Sequence, residues 1–241
     1  MSDRRRQISL TRQLRLVLPL VMLWMVGGAA LAVAGLQTAI PREELFLDTT
    51  AISGLPWYAG VLSNVGILAW TVAAVAALGG GWVSFQTLRP SAGRFLTAGG
   101  LVASILLLDD LLRLHSSVIP KVLGVPKAIA MLLVVAPAIL WFLGFIDEVL
   151  RTRWLVLLAA LGAFFGSVAA DQLLPSGPNT LLIEDGAKLL GVLAWSLYFV
   201  LTTRDIATST IRAATTVDPV TRFATETTGE AQRVSRAEAV R

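Results

Sequence analysis

Residues 58–78 read YAGVLSNVGILAWTVAAVAAL, an unbroken stretch with no charged side chain. A bilayer hydrocarbon core of about 30 Å is crossed by about 20 apolar helical residues, so this stretch is long enough to span one. Five further runs have the same character: Leu14 to Leu36, broken only by Arg15; Phe95 to about Leu114, apolar until Asp109; Ala128 to Ile146; Trp154 to Ala170; and Leu181 to Thr203. Lipid offers no hydrogen-bond partner to an open backbone, which leaves the helix as the way for each run to cross. The sequence predicts an all-α fold, a polytopic membrane helical bundle of six transmembrane helices.

Composition agrees. Of 241 residues 55% are hydrophobic and 15% charged, and the mean hydropathy is +0.72. A soluble domain carries about 25% charged residues, so this chain lacks the charge to clothe a water-soluble globule. The absence of Cys excludes a disulfide scaffold and thiol chemistry. A single His argues against a multi-histidine metal centre. A pI near 10.1 would suit a nucleic-acid partner, but the basic residues lie between apolar runs rather than on one soluble face. The expected partners are the lipid bilayer and either another membrane protein or a second copy, with no nucleic acid.

Those basic residues set the orientation. Arg4, Arg5, Arg6, Arg12, Arg15, Arg89, Arg94, Arg151, Arg153, Arg204 and Arg212 fall on one side, and Arg42, Lys121 and Lys127 on the other. The positive-inside rule puts both termini in the cytoplasm, and the chain is expected in a bacterial-type cytoplasmic (inner) membrane. The organisation expected is a basic cytoplasmic tail over 1–13, a six-span domain over 14–204, and a polar, largely disordered cytoplasmic tail over 205–241. That tail is rich in Thr, Ala, Arg and Glu, too polar to bury a core of its own, with a short amphipathic start to about Ala214. The external connection Gln37 to Trp57 reads as an amphipathic segment lying on the membrane surface.

Charges beside the spans carry the functional signal. The third span ends LLLDDLLRLHSSVIP over 106–120, and the sixth opens LLIEDGAKLLG over 181–191. The predicted topology brings both, with Asp171, to the external end. The candidate ligand- or ion-binding residues are Asp109, Asp110, Arg113, His115, Asp171, Glu184, Asp185 and Lys188. Helical spacing faces Asp109 toward Arg113 and Glu184 toward Lys188, one turn apart. Asp110 and Asp185 are then surplus acids. Charges at depth cost at least ~2.5 kcal/mol each on insertion scales, so the surplus asks for a cross-helix cation or a ligand. A metal there, with His115 among Asp110, Asp171 and Glu184, would be an oxygen-seeking Mg²⁺, Ca²⁺ or Mn²⁺ rather than Zn²⁺. No metal or cofactor is specified by the sequence.

Other features read as packing. Gly162 and Gly166 form a small-residue face in the fifth span, and Ala187 and Gly191 another in the sixth. Gly27, Gly28, Ala32 and Gly35 thin the first. Gly79-Gly80-Gly81 reads as a flexible exit from the second span, where Ser63 and Asn64 are placed to hydrogen-bond across helices. Pro137 is set to kink the fourth. Three functions fit: a binding or transport protein for an ion, small solute or lipid headgroup; a non-catalytic subunit of a larger membrane complex; and, least well, an intramembrane lipid hydrolase. No catalytic residue is assigned.

Overall fold

The computed structural model describes residues 21–22, 24–29, 31–33, 35–38, 49–87, 89–175 and 177–215. They are helices and turns, with no strand among them. The chain divides into two compact units, residues 1–60 and 61–241. In the first, the described residues between 21 and 36 are helical, in keeping with the apolar run there, though that run's start at Leu14 lies outside the described residues. A short helix, Thr49–Ser53, follows, and Gly54 takes a positive φ of 65° to end it.

The second unit holds five helices long and apolar enough to cross a membrane. They are α1 (Val61–Gln86), α2 (Pro90–Leu112), α3 (Lys127–Gly144), α4 (Trp154–Leu173) and α5 (Pro178–Thr215). The chain is thus an all-helical, multi-pass membrane protein. Pro90 opens α2 at a position where its missing N–H is not needed, and Pro137 lies inside α3 without ending it.

The packing order differs from the chain order. α1 is the hub, lying against α2 on one side and α5 on the other; α3 packs on α2, and α4 on α5. The sequence α3–α2–α1–α5–α4 makes an open horseshoe, because α3 and α4 have no comparable interface with each other. At one end the horseshoe is closed by rings: Trp141 of α3 meets Trp195 and Phe199 of α5 at centroid distances of 5.6 and 5.5 Å. Trp141 also donates its Nε1–H to the Phe95 carbonyl of α2 at 3.2 Å. Phe95, Leu96, Leu157, Tyr198 and Phe199 are essentially inaccessible.

Glycine explains why α1 and α2 come so close. Gly79-Gly80-Gly81 is not a flexible exit; it is helical and continues α1 by two turns past Leu78. A Cβ at Gly80 would sit 2.6 Å from Thr203 of α5, and one at Gly81 would collide with Thr97 of α2. Gly100 approaches Leu78 in the same way, at 2.7 Å. The face expected at Gly162 and Gly166 is not a contact: nothing described lies within 4 Å of either position. Gly191 is one, its Cβ direction blocked by the Phe164 ring at 2.7 Å.

α5 runs well past the apolar stretch. The polar segment expected to begin a tail at Asp205 is helical to Thr215; residues 216–241 lie outside the described residues. Side chains anchor this extension. Arg153 donates to both oxygens of Asp205 at 2.7 and 3.3 Å, and Arg89 donates to Ser209 Oγ at 2.7 Å. The hydrogen bond to Asp205, more than the charge itself, holds the Arg153 guanidinium above its ordinary pKa.

Candidate binding pocket

The end of the horseshoe away from the ring closure carries the charges. α2 stops at Leu112 because Arg113 adopts a left-handed conformation, φ 54° and ψ 46°, the common way to end a helix. A π-helical turn follows at Leu114–Val118, a rare geometry that clusters at functional sites. Together they fold the chain back so that His115 lies against Asp109. The Asp109 carboxylate is clamped twice by one residue: Oδ1 accepts the His115 backbone N–H at 2.8 Å, and Oδ2 meets Nδ1 at 2.6 Å. An ionised carboxylate only accepts, so Nδ1 is the donor when Asp109 is charged.

Asp110, the next residue, points to the opposite neighbours. Its Oδ2 accepts the indole N–H of Trp70 from α1 at 2.8 Å, and its Oδ1 accepts Lys188 Nζ from α5 at 2.6 Å. Three helices are thus tied at one carboxylate. The Asp110 side chain is 17% exposed and that of Lys188 43%, so the pair is only partly shielded from solvent.

Neither expected intrahelical pair forms. Asp109 pairs with His115 rather than Arg113, because the left-handed turn at Arg113 ends the helical register that would face the two. Arg113 is exposed and takes no part in the pocket. Lys188 reaches Asp110 rather than Glu184, because α1 holds α2 and α5 together at this level and the indole of Trp70 fixes the carboxylate it meets. The surplus acids are therefore Glu184 and Asp185, which have no hydrogen bond or ion pair among the described residues, and Asp171, which accepts only the amide of its neighbour Gln172 at 2.7 Å.

These groups rim a cavity of about 710 Å³, within the range of small-molecule sites. Asp109, Asp110, His115, Asp171, Glu184, Asp185 and Lys188 all line it. Five carboxylates and one ammonium give this rim a formal charge of −4 with His115 neutral. The wall below is aromatic: Trp70 stacks on Phe164 at 6.0 Å and meets Trp195 edge-on at 5.9 Å, and Trp141 adds a third indole. The indole nitrogen of Trp195 is buried without a hydrogen-bond partner. No three His, Cys, Asp or Glu side chains among the described residues stand close enough to share a metal ion, so the oxygen-rich metal set considered from the sequence is not assembled.

Trp70 and the aromatic wall are the parts that sequence reasoning missed. A lone Trp in an apolar helix reads as packing; only the approach of α1 to α2 turns it into a carboxylate ligand. Ser63 and Asn64, the polar residues of α1 that stood out, are exposed. The cross-helix hydrogen bonds of α1 come from Trp70 and from the Ala76 carbonyl, which accepts Thr203 Oγ1 at 3.1 Å.

Fold and pocket together define a multi-pass helical membrane protein with an acid-rimmed, aromatic-walled cavity inside the bundle. The chain belongs to the family described as Domain of unknown function (DUF8692), whose model matches residues 14–202 and so contains every residue of the pocket. No curated protein and no solved structure matches it.

Proposed function

We propose that this is a six-span inner-membrane protein, both termini cytoplasmic, whose external end binds a molecule bearing a cationic head. The observation that carries the reading is the union, in one cavity, of a rim with formal charge −4 and a wall of three indoles and three phenyl rings. A cation is drawn to the carboxylates by charge, and the aromatic wall, its three indoles 2–3% exposed, lowers the local dielectric and strengthens that attraction. Asp110 and Asp109 are engaged by protein partners and shape the site. Glu184, Asp185 and Asp171 are the acids left to meet a ligand.

The test is equilibrium dialysis of radiolabelled tetramethylammonium against the full chain in lipid nanodiscs. Saturable binding is expected, weakened at least tenfold in Glu184→Gln with Asp185→Asn, and acetate should show none. Absence of saturable cation binding, with wild type and variant alike, would favour the role of a non-catalytic subunit in a larger complex.

A further inference from the structure

The pocket has a second opening, and it faces sideways. Ile139 and Leu143 of α3 and Phe165 and Val168 of α4 line the cavity, yet they are 47%, 63%, 76% and 45% exposed. A side chain that borders a cavity and is also open outward marks a mouth. Ile139, Phe165 and Val168 lie well inside two apolar helices that have no close interface with each other, and Leu143 lies in the last turn of the first. Gly162 and Gly166 leave open space beside Phe165. All four are apolar, as a mouth onto acyl chains requires.

Its dimensions suit a chain. From Met131 to Leu143 on α3 the lining covers about 18 Å at 1.5 Å per residue, and from Glu184 to Trp195 on α5 about 16 Å. The cavity therefore runs along the helices, acids at one end and rings at the other, for about half of a hydrocarbon core of about 30 Å. A volume of about 710 Å³ has room for one alkyl chain with a small head.

Resting on the cationic-head reading above, we propose that the gap between α3 and α4 is a lateral portal through which the pocket takes a single-chain cationic amphiphile from the bilayer. The chain gains no hydrophobic energy on leaving lipid, which is as apolar as the portal. Selection therefore falls to the head: a positive one is held by Glu184, Asp185 and Asp171, and an anionic one is repelled by the same groups. The portal supplies a path and a high local concentration.

The experiment uses the full chain in nanodiscs and dodecyltrimethylammonium carrying a photoactivatable diazirine at the chain end. Crosslinks are expected within 136–143 of α3 and 161–168 of α4, competed by unlabelled dodecyltrimethylammonium and not by an equal mole fraction of laurate. Filling the gap with Ile139→Phe and Val168→Phe should cut this labelling about tenfold, with an unchanged thermal melt to show that the variant is folded. Labelling unaffected by the filled gap overturns the portal, as does labelling within 14–36 in place of α3 and α4, which would mean that protein covers the slot. If tetramethylammonium still binds in those cases, the acid rim stands and only the portal falls; if it never binds, the cationic-head reading itself has failed.

Discussion

Asp110→Asn separates the architecture of the pocket from a simple count of its charges. On helical spacing alone Asp110 is a surplus acid, and removing its charge would be harmless or stabilising. In the folded chain it is the common acceptor of Trp70 Nε1 at 2.8 Å and Lys188 Nζ at 2.6 Å, joining α1, α2 and α5. Hydrogen bonds to a charged group contribute about 1.5–3 kcal/mol each, and breaking a fully buried ion pair costs about 3–5 kcal/mol. With Lys188 43% exposed the pair lies well below that limit. Asn keeps one acceptor oxygen but loses the charge that attracts the ammonium. We expect Asp110→Asn to destabilise by about 2 kcal/mol, and Asp185→Asn, exposed and without a partner, to stay within about 0.5 kcal/mol of wild type. Lys188→Gln should resemble Asp110→Asn, and the double variant should cost less than the two added together by about 1 kcal/mol, the signature of a direct contact. Reversible denaturant titration in mixed micelles, all four variants side by side, gives each value. Equal stability of Asp110→Asn and Asp185→Asn, with additive effects at 110 and 188, would refute the three-helix junction.

The glycines give a matched pair: Gly191→Ala should lose about 1–3 kcal/mol against the Phe164 ring, whereas Gly166→Ala, with open space around it, should be neutral, both read from the same titration. Asp109→Ala removes both acceptors of His115 and should open the 114–118 turn, seen as faster amide exchange at His115 and Val118 than in wild type. A chain ending at Thr215 should melt with wild type, while one ending at Arg204 loses the Asp205 and Ser209 anchors and should melt lower in a thermal scan.

The helices were legible because lipid imposes one rule on every span: about 20 apolar residues, backbone satisfied internally. That rule says where a helix crosses and nothing about which helices touch. The two ends of α1 show the gap. Gly79-Gly80-Gly81 carries the composition of a flexible exit, and only the approach of Thr97 and Thr203 reveals that these positions need the absence of a side chain. The pocket residues were legible as types, since acids are costly in a span and stand out; all of the predicted set except Arg113 line the cavity. Their pairing was not, for a definite reason. Spacing rules assume that the helix continues, and α2 does not: one left-handed residue at Arg113 removes the expected partner of Asp109 and the turn after it supplies another. Helical spacing assigns Lys188 to Glu184 for the complementary reason: the carboxylate it meets in the fold sits 78 positions away on another helix.

This pairing divides the acids by task. Asp109 holds the turn that closes one side of the rim, and Asp110 holds three helices together; both are buried or nearly so, and both have their acceptor atoms taken. Glu184, Asp185 and Asp171 stand on α5 and α4 and line the same cavity, with the charge of Lys188, one turn from Glu184, to offset them only in part. Three acids on one side of one cavity repel one another, and Asp171 and Asp185 both act on Glu184. A bundle built only to pack would be more stable without them. If these acids serve the proposed ligand, neutralising them leaves stability unchanged or slightly raised while removing cation binding. Stability and tetramethylammonium binding measured together on Glu184→Gln and Asp185→Asn decide this: a loss of binding without a loss of stability supports a binding role for these acids, and a loss of both would return them to the scaffold.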